Sequence, residues 1–399
     1  MSNFIIIPQP KTAFGEILTG SLSPLFQGSF EYTVDNTELI ENTVTNGGTV
    51  TQATAMAVCT TSTTATSIAQ LASVHSGKYR AGLGGLMRFT ALFTSPIATT
   101  YQLVGLADVT GDSQPFENGL MVGYIGTTFG VHRFQNDTIT TVDLASCNDP
   151  LDGTGDSGMT YVPTKLNVFQ IKYQYLGAGA IEFYIEDDST GMFVLFHKIL
   201  YANLNTVPST YMPNYHFTMY AFNAATTDNI ILKSASYAYF VEGLTQIIEV
   251  HQPQFSSGSQ QKTLVTTEVA LLTIRNKSTY NSKANFIDII LENFSASIEA
   301  NSDKNLGTLR FVLNATLGGA PSYADINATN SIVDIDVAGT TVTGGKEIMS
   351  IELAGKNDRL FETIIDLKTY LHSGNTLTLA VSSVNSATFN GYILWRELF

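Results

Sequence analysis

Glu182, Tyr184 and Glu186 stand two residues apart, the spacing that puts side chains on one face of a β-strand. Two glutamates so placed could serve as nucleophile and general acid or base, or could face a ligand. Four residues of strand separate their Cα atoms by about 13 Å, whereas a retaining carboxylate pair works at roughly 5 Å, so both side chains would have to lean inward. The competing reading is an outward, solvated strand face. Gly155-Asp-Ser-Gly158 offers a serine, but a serine nucleophile needs a histidine to take its proton and an aspartate to orient that histidine. Asp149, Asp152 and Asp156 share a glycine-containing loop and could present oxygens to Ca²⁺, without the spacing of a dedicated calcium loop. The histidines are scattered, with no pair at metal-ligand spacing. His132 and His197 lie in apolar strand runs and are read as packed or hydrogen-bonded. No phosphate loop, dinucleotide fingerprint or Cys/His dyad occurs. The expectation is therefore no cofactor, no metal and no catalytic residue, with Glu182, Tyr184 and Glu186 as the ligand-facing candidates.

The elements that would position these residues are strands. From Val168 to Tyr175, Phe169, Ile171, Tyr173 and Tyr175 alternate with Gln170, Lys172 and Gln174, the period of a half-buried strand. Leu176 to Ala180 turns the chain, and Ile181, Phe183 and Ile185 then alternate with the candidate residues. Asp187-Asp-Ser-Thr-Gly191 is strong turn chemistry, and Met192 to Leu200 is apolar at nearly every position, as in a strand covered on both faces. These three strands form an antiparallel meander that needs a second sheet to cover it. Gly119 to Gly126 and Phe129 to Phe134 are short strands with close glycines, which mark a tight backbone approach beneath another segment. Tyr173, Tyr175, Tyr184, Tyr237 and Tyr239 could line a binding face, although tyrosine is also a favoured strand former. Trp395 belongs with Ile393 on the inner face of the last strand.

At 399 residues, two domains are expected. Residues 1–25 read as an arm, 26–250 as a lectin-like (concanavalin-like) antiparallel sandwich, 251–263 as a polar linker, and 264–399 as a jelly-roll-like sandwich of about eight strands. The fold class is all-β. Residues 358–371 could alternatively form a short amphipathic helix.

Composition narrows the partners. Hydrophobic residues make up 44% of the chain but charged residues only 14%, against roughly 25% in ordinary soluble proteins, so Thr, Ser, Asn and Gly must carry the surface. With 20 basic against 34 acidic residues, a net charge of −14 and no basic cluster, the chain is a poor partner for nucleic acid. No apolar run approaches a membrane span. Phe4 to Ile7 is too short for a signal segment, and the expectation is a protein made without a cleaved export signal. Cys59 and Cys147 provide no disulfide framework and read as separate buried thiols.

Three resemblances bear on function. Gly155 to Gly158 matches the nucleophile motif of trypsin-like serine proteases, but no Ala-Ala-His-Cys-like segment precedes it and Met159 stands where that family has glycine. Glu182 to Glu186 resembles the Glu-x-Asp-x-Glu pattern of one group of lectin-like sandwich glycosidases, with Tyr184 replacing the middle aspartate. More broadly, Phe89 to Phe93, Gly123 to Val131, Thr164 to Gly177, Ile181 to Glu186, Leu272 to Lys277, Asn314 to Gly319, Gly339 to Gly345 and Trp395 to Glu397 resemble virion structural proteins of tailed phages and large DNA viruses. That resemblance implies a head decoration, fibre or tail component, made in the host cytoplasm, without enzymatic activity. It would act by assembling with other virion proteins as a homo-oligomer, with a trimer as the guess. A host glycan is a further possible partner, and the alternative from another class is a carbohydrate-binding or polysaccharide-degrading protein on the same sandwich.

Overall fold

A computed structural model of the chain describes residues 20–34, 39–79, 81–109, 116–224, 229–243, 252–300, 305–354, 356–365 and 369–399. The chain divides into two compact units, Met1–Thr245 and Gln246–Phe399. Both are built of antiparallel strands, so the protein is all-β: a lectin-like sandwich followed by a jelly-roll-like one.

In the first unit, a nine-stranded sheet runs in the order Phe193–Ile199, Ile181–Glu186, Asn167–Tyr173 and Gly84–Phe93. It continues through Ile231–Ser234, Met56–Thr60 and Thr49–Ala53. Ser236–Glu242 pairs with the first half of Gly84–Phe93 and carries Leu22–Ser29 on its other edge. The facing seven-stranded sheet has the order Thr138–Asp143, Thr128–Gln135, Gly119–Ile125, Thr100–Ala107, Tyr215–Asn223, Ser67–Gly77 and Ile40–Thr45. Alternation along the central strands sends Met87, Phe89, Ile171 and Phe183 from one sheet against Val104, Val122, Phe217 and Met219 from the other, all buried. The rings of Phe217 and Tyr237 stack with centroids 4.2 Å apart.

The expected meander forms, but Phe193–Ile199 is an edge strand and is not covered on both faces. A register shift between Phe183 and Tyr184 lets Phe196 enter the core while Leu195 stays exposed. Tyr173, Tyr237 and Tyr239, expected on a binding face, belong to the core, with Tyr237 also bordering a surface hollow. The Tyr173 and Tyr239 hydroxyls satisfy each other in the core at 2.8 Å.

The arm and linker expectations need correction where the chain is described. Residues 1–19 lie outside the described residues, but Leu22 to Leu25 already belong to a strand. In the expected linker, Gln254–Ser256 and Gln260–Val265 both pair with Ala387–Leu398. Their polar composition reflects exposed edge positions rather than absence of structure.

In the second unit, one sheet is built on Ala387–Leu398 and Asp288–Ala300, with Arg359–Thr363 at one edge. Residues 359–363 are thus extended, not helical. The other sheet orders Ala324–Asp325, Val333–Asp336, Val269–Asn276, Thr376–Ser383, Leu306–Leu313 and Lys346–Ala354. Trp395 is fully buried among Leu272, Phe294, Phe311, Leu379 and Phe389, and its Nε1 donates to Glu397 Oε1 at 3.2 Å. Cys59 and Cys147 are free and buried.

The glycines of the Gly119–Ile125 strand serve a close approach to neighbouring strands of their own sheet. Gly123 holds φ +147°, and a Cβ there would stand 1.9 Å from the Gln102 carbonyl oxygen. Its own carbonyl meets His132 Nε2 at 3.0 Å, and His132 Nδ1 lies 3.0 Å from Thr141 Oγ1, so this histidine is a hydrogen-bonded strand residue. Gly123→Ala is expected to cost at least about 2 kcal/mol through backbone strain and overpacking, read as a lowered urea midpoint. An unchanged midpoint would mean the sheet relaxes freely at this point.

Asp108 sets a second expectation. It is 2% exposed, and its carboxylate accepts from Asn118 N at 2.8 Å and Asn118 Nδ2 at 2.9 Å. Asn118 Oδ1 in turn accepts from Thr210 Oγ1 and Tyr211 N, tying distant loops together. Burial outweighs these bonds and pushes the Asp108 carboxyl up to about 6. A folded value above the unfolded one stabilises fully below pH about 4 and is lost as pH rises through about 6. Between pH 4 and 7 the wild type should therefore lose up to about 3 kcal/mol relative to Asp108→Asn. Denaturation curves across that range test it, and a pH-independent difference would refute it.

Candidate functional site

The outer face of the nine-stranded sheet collects the side chains that alternation keeps out of the core. Along Ile181–Glu186, Glu182, Tyr184 and Glu186 all lie half-buried on this face. Glu182 sits between two lysines in register, Lys172 and Lys198. Its Oε1 accepts from Lys198 Nζ at 2.7 Å and its Oε2 from Tyr184 Oη at 2.6 Å. Burial raises the Glu182 carboxyl, but the bonds from Lys198 and Tyr184 outweigh it and hold the group below the usual carboxylate range. A carboxylate so held is poorly suited to deliver a proton near neutral pH. Glu186 stands opposite Phe193, in register with a different neighbour from Glu182. Lys172 pairs with Glu242 at 2.8 Å.

A line of register partners leads from Tyr184 across the sheet to Gln170, Arg88, Ala238 and Gln27. Arg88 is fixed along it: its Nε donates to Gln170 Oε1 at 2.9 Å, and its Cζ lies 5.4 Å from the Phe193 ring centroid and 5.7 Å from that of Phe240. These contacts stack the guanidinium on two aromatic faces. One turn of alternation further on, Thr90 Oγ1 accepts from Ala235 N at 2.7 Å and Ser236 N at 3.2 Å. It thereby fills the break between Ile231–Ser234 and Ser236–Glu242.

Against this stretch lies a hollow of about 710 Å³, lined among others by Gln27, Tyr32, Arg88, Thr90 and Ser236 and, where the edge strand of the facing sheet begins, by Ile40. Tyr32 is 94% exposed, an aromatic ring held in water beside hydrogen-bonding side chains. The candidate glutamates share the face with this hollow but do not line it. Arg88 and Tyr32 escape a reading of the sequence by motif. The available signal is parity: Arg88 and Thr90 alternate with Met87, Phe89 and Ala91, so an inward series dictates an outward arginine.

The other sequence candidates form no site. Asp149 turns back on its own loop, accepting from Leu151 N at 3.1 Å and Ser157 N at 2.8 Å, while Asp152 accepts from Thr154 N at 2.9 Å. Ser157 Oγ accepts from Met159 N at 3.1 Å, which makes Gly155 to Gly158 a self-bonded turn. Among the described residues, no cluster of His, Cys, Asp or Glu could hold a metal ion, and no helix is long and apolar enough to cross a membrane.

No protein-family model matches the chain, and no curated protein matches it in sequence. Solved structures do. A glycosyl hydrolase family protein from Mycobacterium fortuitum is 13% identical, with 54% of this chain and 99% of that one covered and a TM-score of 0.38. The catalytic domain of an endo-1,3-beta-glucanase from Thermotoga petrophila is 10% identical over 56% and 99%, with a TM-score of 0.36. Lectin II from Ulex europaeus is 11% identical over 55% and 100%, with a TM-score of 0.36. The structures so matched are hydrolases and a lectin, so the expectation of a virion structural protein and the expectation of a chain without enzymatic activity find no support among them. At such identities and scores they assign no residue of this chain a role.

The Glu182 cluster generates its own expectation. A carboxyl held low in the folded state stabilises above its unfolded value, and that contribution disappears as pH falls through the folded one. Glu182→Gln should therefore lower stability by no more than about 1 kcal/mol at pH 7, as half-exposed ion pairs do. The difference should start to shrink as pH falls through the ordinary glutamate value of about 4.3, and it closes only below the lowered folded value. Urea midpoints at pH 7 and pH 3 decide it; a larger loss independent of pH would make Glu182 a packing residue.

Proposed function

We propose that the first unit binds carbohydrate in the hollow on the outer face of its nine-stranded sheet. The observation that carries this reading is the combination in one concavity of the freely exposed Tyr32 ring with the polar groups of Gln27, Arg88, Thr90 and Ser236. A sugar ring has a C–H face that packs on an aromatic ring, and a belt of hydroxyls that both donate and accept. A site for it needs a flat apolar surface and several fixed polar groups around it. Val168 adds apolar floor, and the sheet beneath holds Arg88 and Thr90 in place through bonds to Gln170 and to the Ala235 and Ser236 amides. Of the readings open to the sequence, the carbohydrate-binding alternative is the one this geometry supports. Glycan recognition is also consistent with the lectin-like sandwich on which the hollow is built.

The test is binding of the full chain to an oligosaccharide library, followed by calorimetry on whatever is retained. Tyr32→Ala is expected to weaken binding about tenfold, the loss of one stacking contact plus its buried area. Release of shorter sugars in the same samples would identify a site that also cleaves what it binds. Absence of any retained sugar, or equal binding by Tyr32→Ala, would overturn the reading.

A further inference from the structure

We infer that the sugar taken by this hollow is acidic and that Arg88 receives its carboxylate or sulfate. The inference rests on the carbohydrate-binding reading and narrows its ligand class. With 34 acidic residues against 20 basic ones, an arginine in this chain should readily find a carboxylate. Others do: Arg275 pairs with Asp334, Arg310 with Glu268 and Glu347, and Arg396 with Glu292. Arg88 is different. Among the described residues no carboxylate lies within ion-pair distance of it, and its hydrogen bonding within the protein is the single donation from Nε to Gln170.

The guanidinium is nevertheless not loose. Phe193 and Phe240 flank it at 5.4 and 5.7 Å, and the bond to Gln170 fixes the plane of the fork. Of the five N–H donors of an arginine, this leaves the four on Nη1 and Nη2 for a guest, in the geometry that grips two oxygens of one anionic group. Because the side chain is already ordered, its immobilisation does not weigh against binding. Two neighbouring carboxylates on the face are compensated, Glu182 by Lys198 and Glu242 by Lys172, whereas Glu31, bonded to the lining Ser29, brings a negative charge beside the hollow. Glu186, opposite Phe193 in register, has no ion-pair partner among the described residues. Arg88 is the cationic side chain among the residues that line the hollow. Sugar stacked on Tyr32 could direct an exocyclic anionic group to it, and both residues line the same 710 Å³ space. A lysine would supply the charge without the fork or the stacking.

Calorimetry on the full chain with matched probes tests this. Oligogalacturonate is compared with its methyl ester, and a sulfated galactan oligosaccharide with its desulfated form, in low and high salt. The expected result is at least a tenfold preference for the charged member of one pair, weakening with salt; which pair shows it tells carboxylate from sulfate. In Arg88→Gln that ratio should fall to about one, and Arg88→Lys should recover only part of it, with melting curves reporting whether each variant is folded. If Arg88→Gln does not fold, the wild-type ratios and their salt dependence decide alone. Neutral and charged sugars bound equally would overturn the assignment of Arg88 and leave the carbohydrate reading standing. No binding of any sugar would overturn both.

Discussion

The alternation along Gly84–Phe93 is the constraint on which the rest of the first unit depends. Met87, Phe89, Ala91 and Phe93 must be inward, because these four buried side chains lie in the middle of the core between the two sheets. Once they are, Arg88 and Thr90 have no choice but to face outward. The same strand meets Asn167–Tyr173 on one side and two successive strands on the other, Ser236–Glu242 and then Ile231–Ser234. The gap between those two strands leaves the Ala235 and Ser236 amides without ladder partners, and the Thr90 hydroxyl takes both. A core requirement thereby fixes a surface arrangement: the inward phenylalanines set the register that presents an arginine, a threonine and a serine together.

A chain with so few charges must also decide where each one goes. On the outer face of this sheet, Lys198 and Lys172 neutralise Glu182 and Glu242, and the Tyr184 hydroxyl adds a second bond to Glu182. In the second unit, the fully buried Glu397 is satisfied by Ser331 Oγ, the Ile332 amide and Trp395 Nε1. Desolvation of a carboxylate is tolerable only with such partners. Arg88, like Arg133 over the Tyr201 ring, departs from this pattern because it is met by aromatic faces and a neutral amide, which leave its charge uncancelled.

How much could be read beforehand follows from the range of the interactions involved. Asn167–Tyr173 and Ile181–Glu186 are legible because period-two alternation is local and the turns beside them carry their own chemistry. The inward placement of Trp395 follows from the same local rule. Gln254–Ser256 and Gln260–Val265 are not legible, since both are polar edge strands whose only reason to be extended is Ala387–Leu398, more than a hundred residues away. Met192 to Leu200 misleads for a related reason. Its apolar residues serve different purposes: Phe196 fills the core, and Phe193 stacks on Arg88.

The site itself was half legible. Glu182, Tyr184 and Glu186 declare their shared face through spacing alone, yet what they do there depends on Lys198 and on the order of strands, which spacing does not encode. Arg88 is harder still, because its state is set by three residues from three other strands, Gln170, Phe193 and Phe240. Each is unremarkable in its own segment: an amide between apolar residues, the first residue of an edge strand, an aromatic in a run of tyrosines. Only the strand order brings them to one guanidinium. A paired arginine can be suspected from nearby acidic residues, but an unpaired one, held ready by apolar faces, becomes visible only when the sheet is assembled.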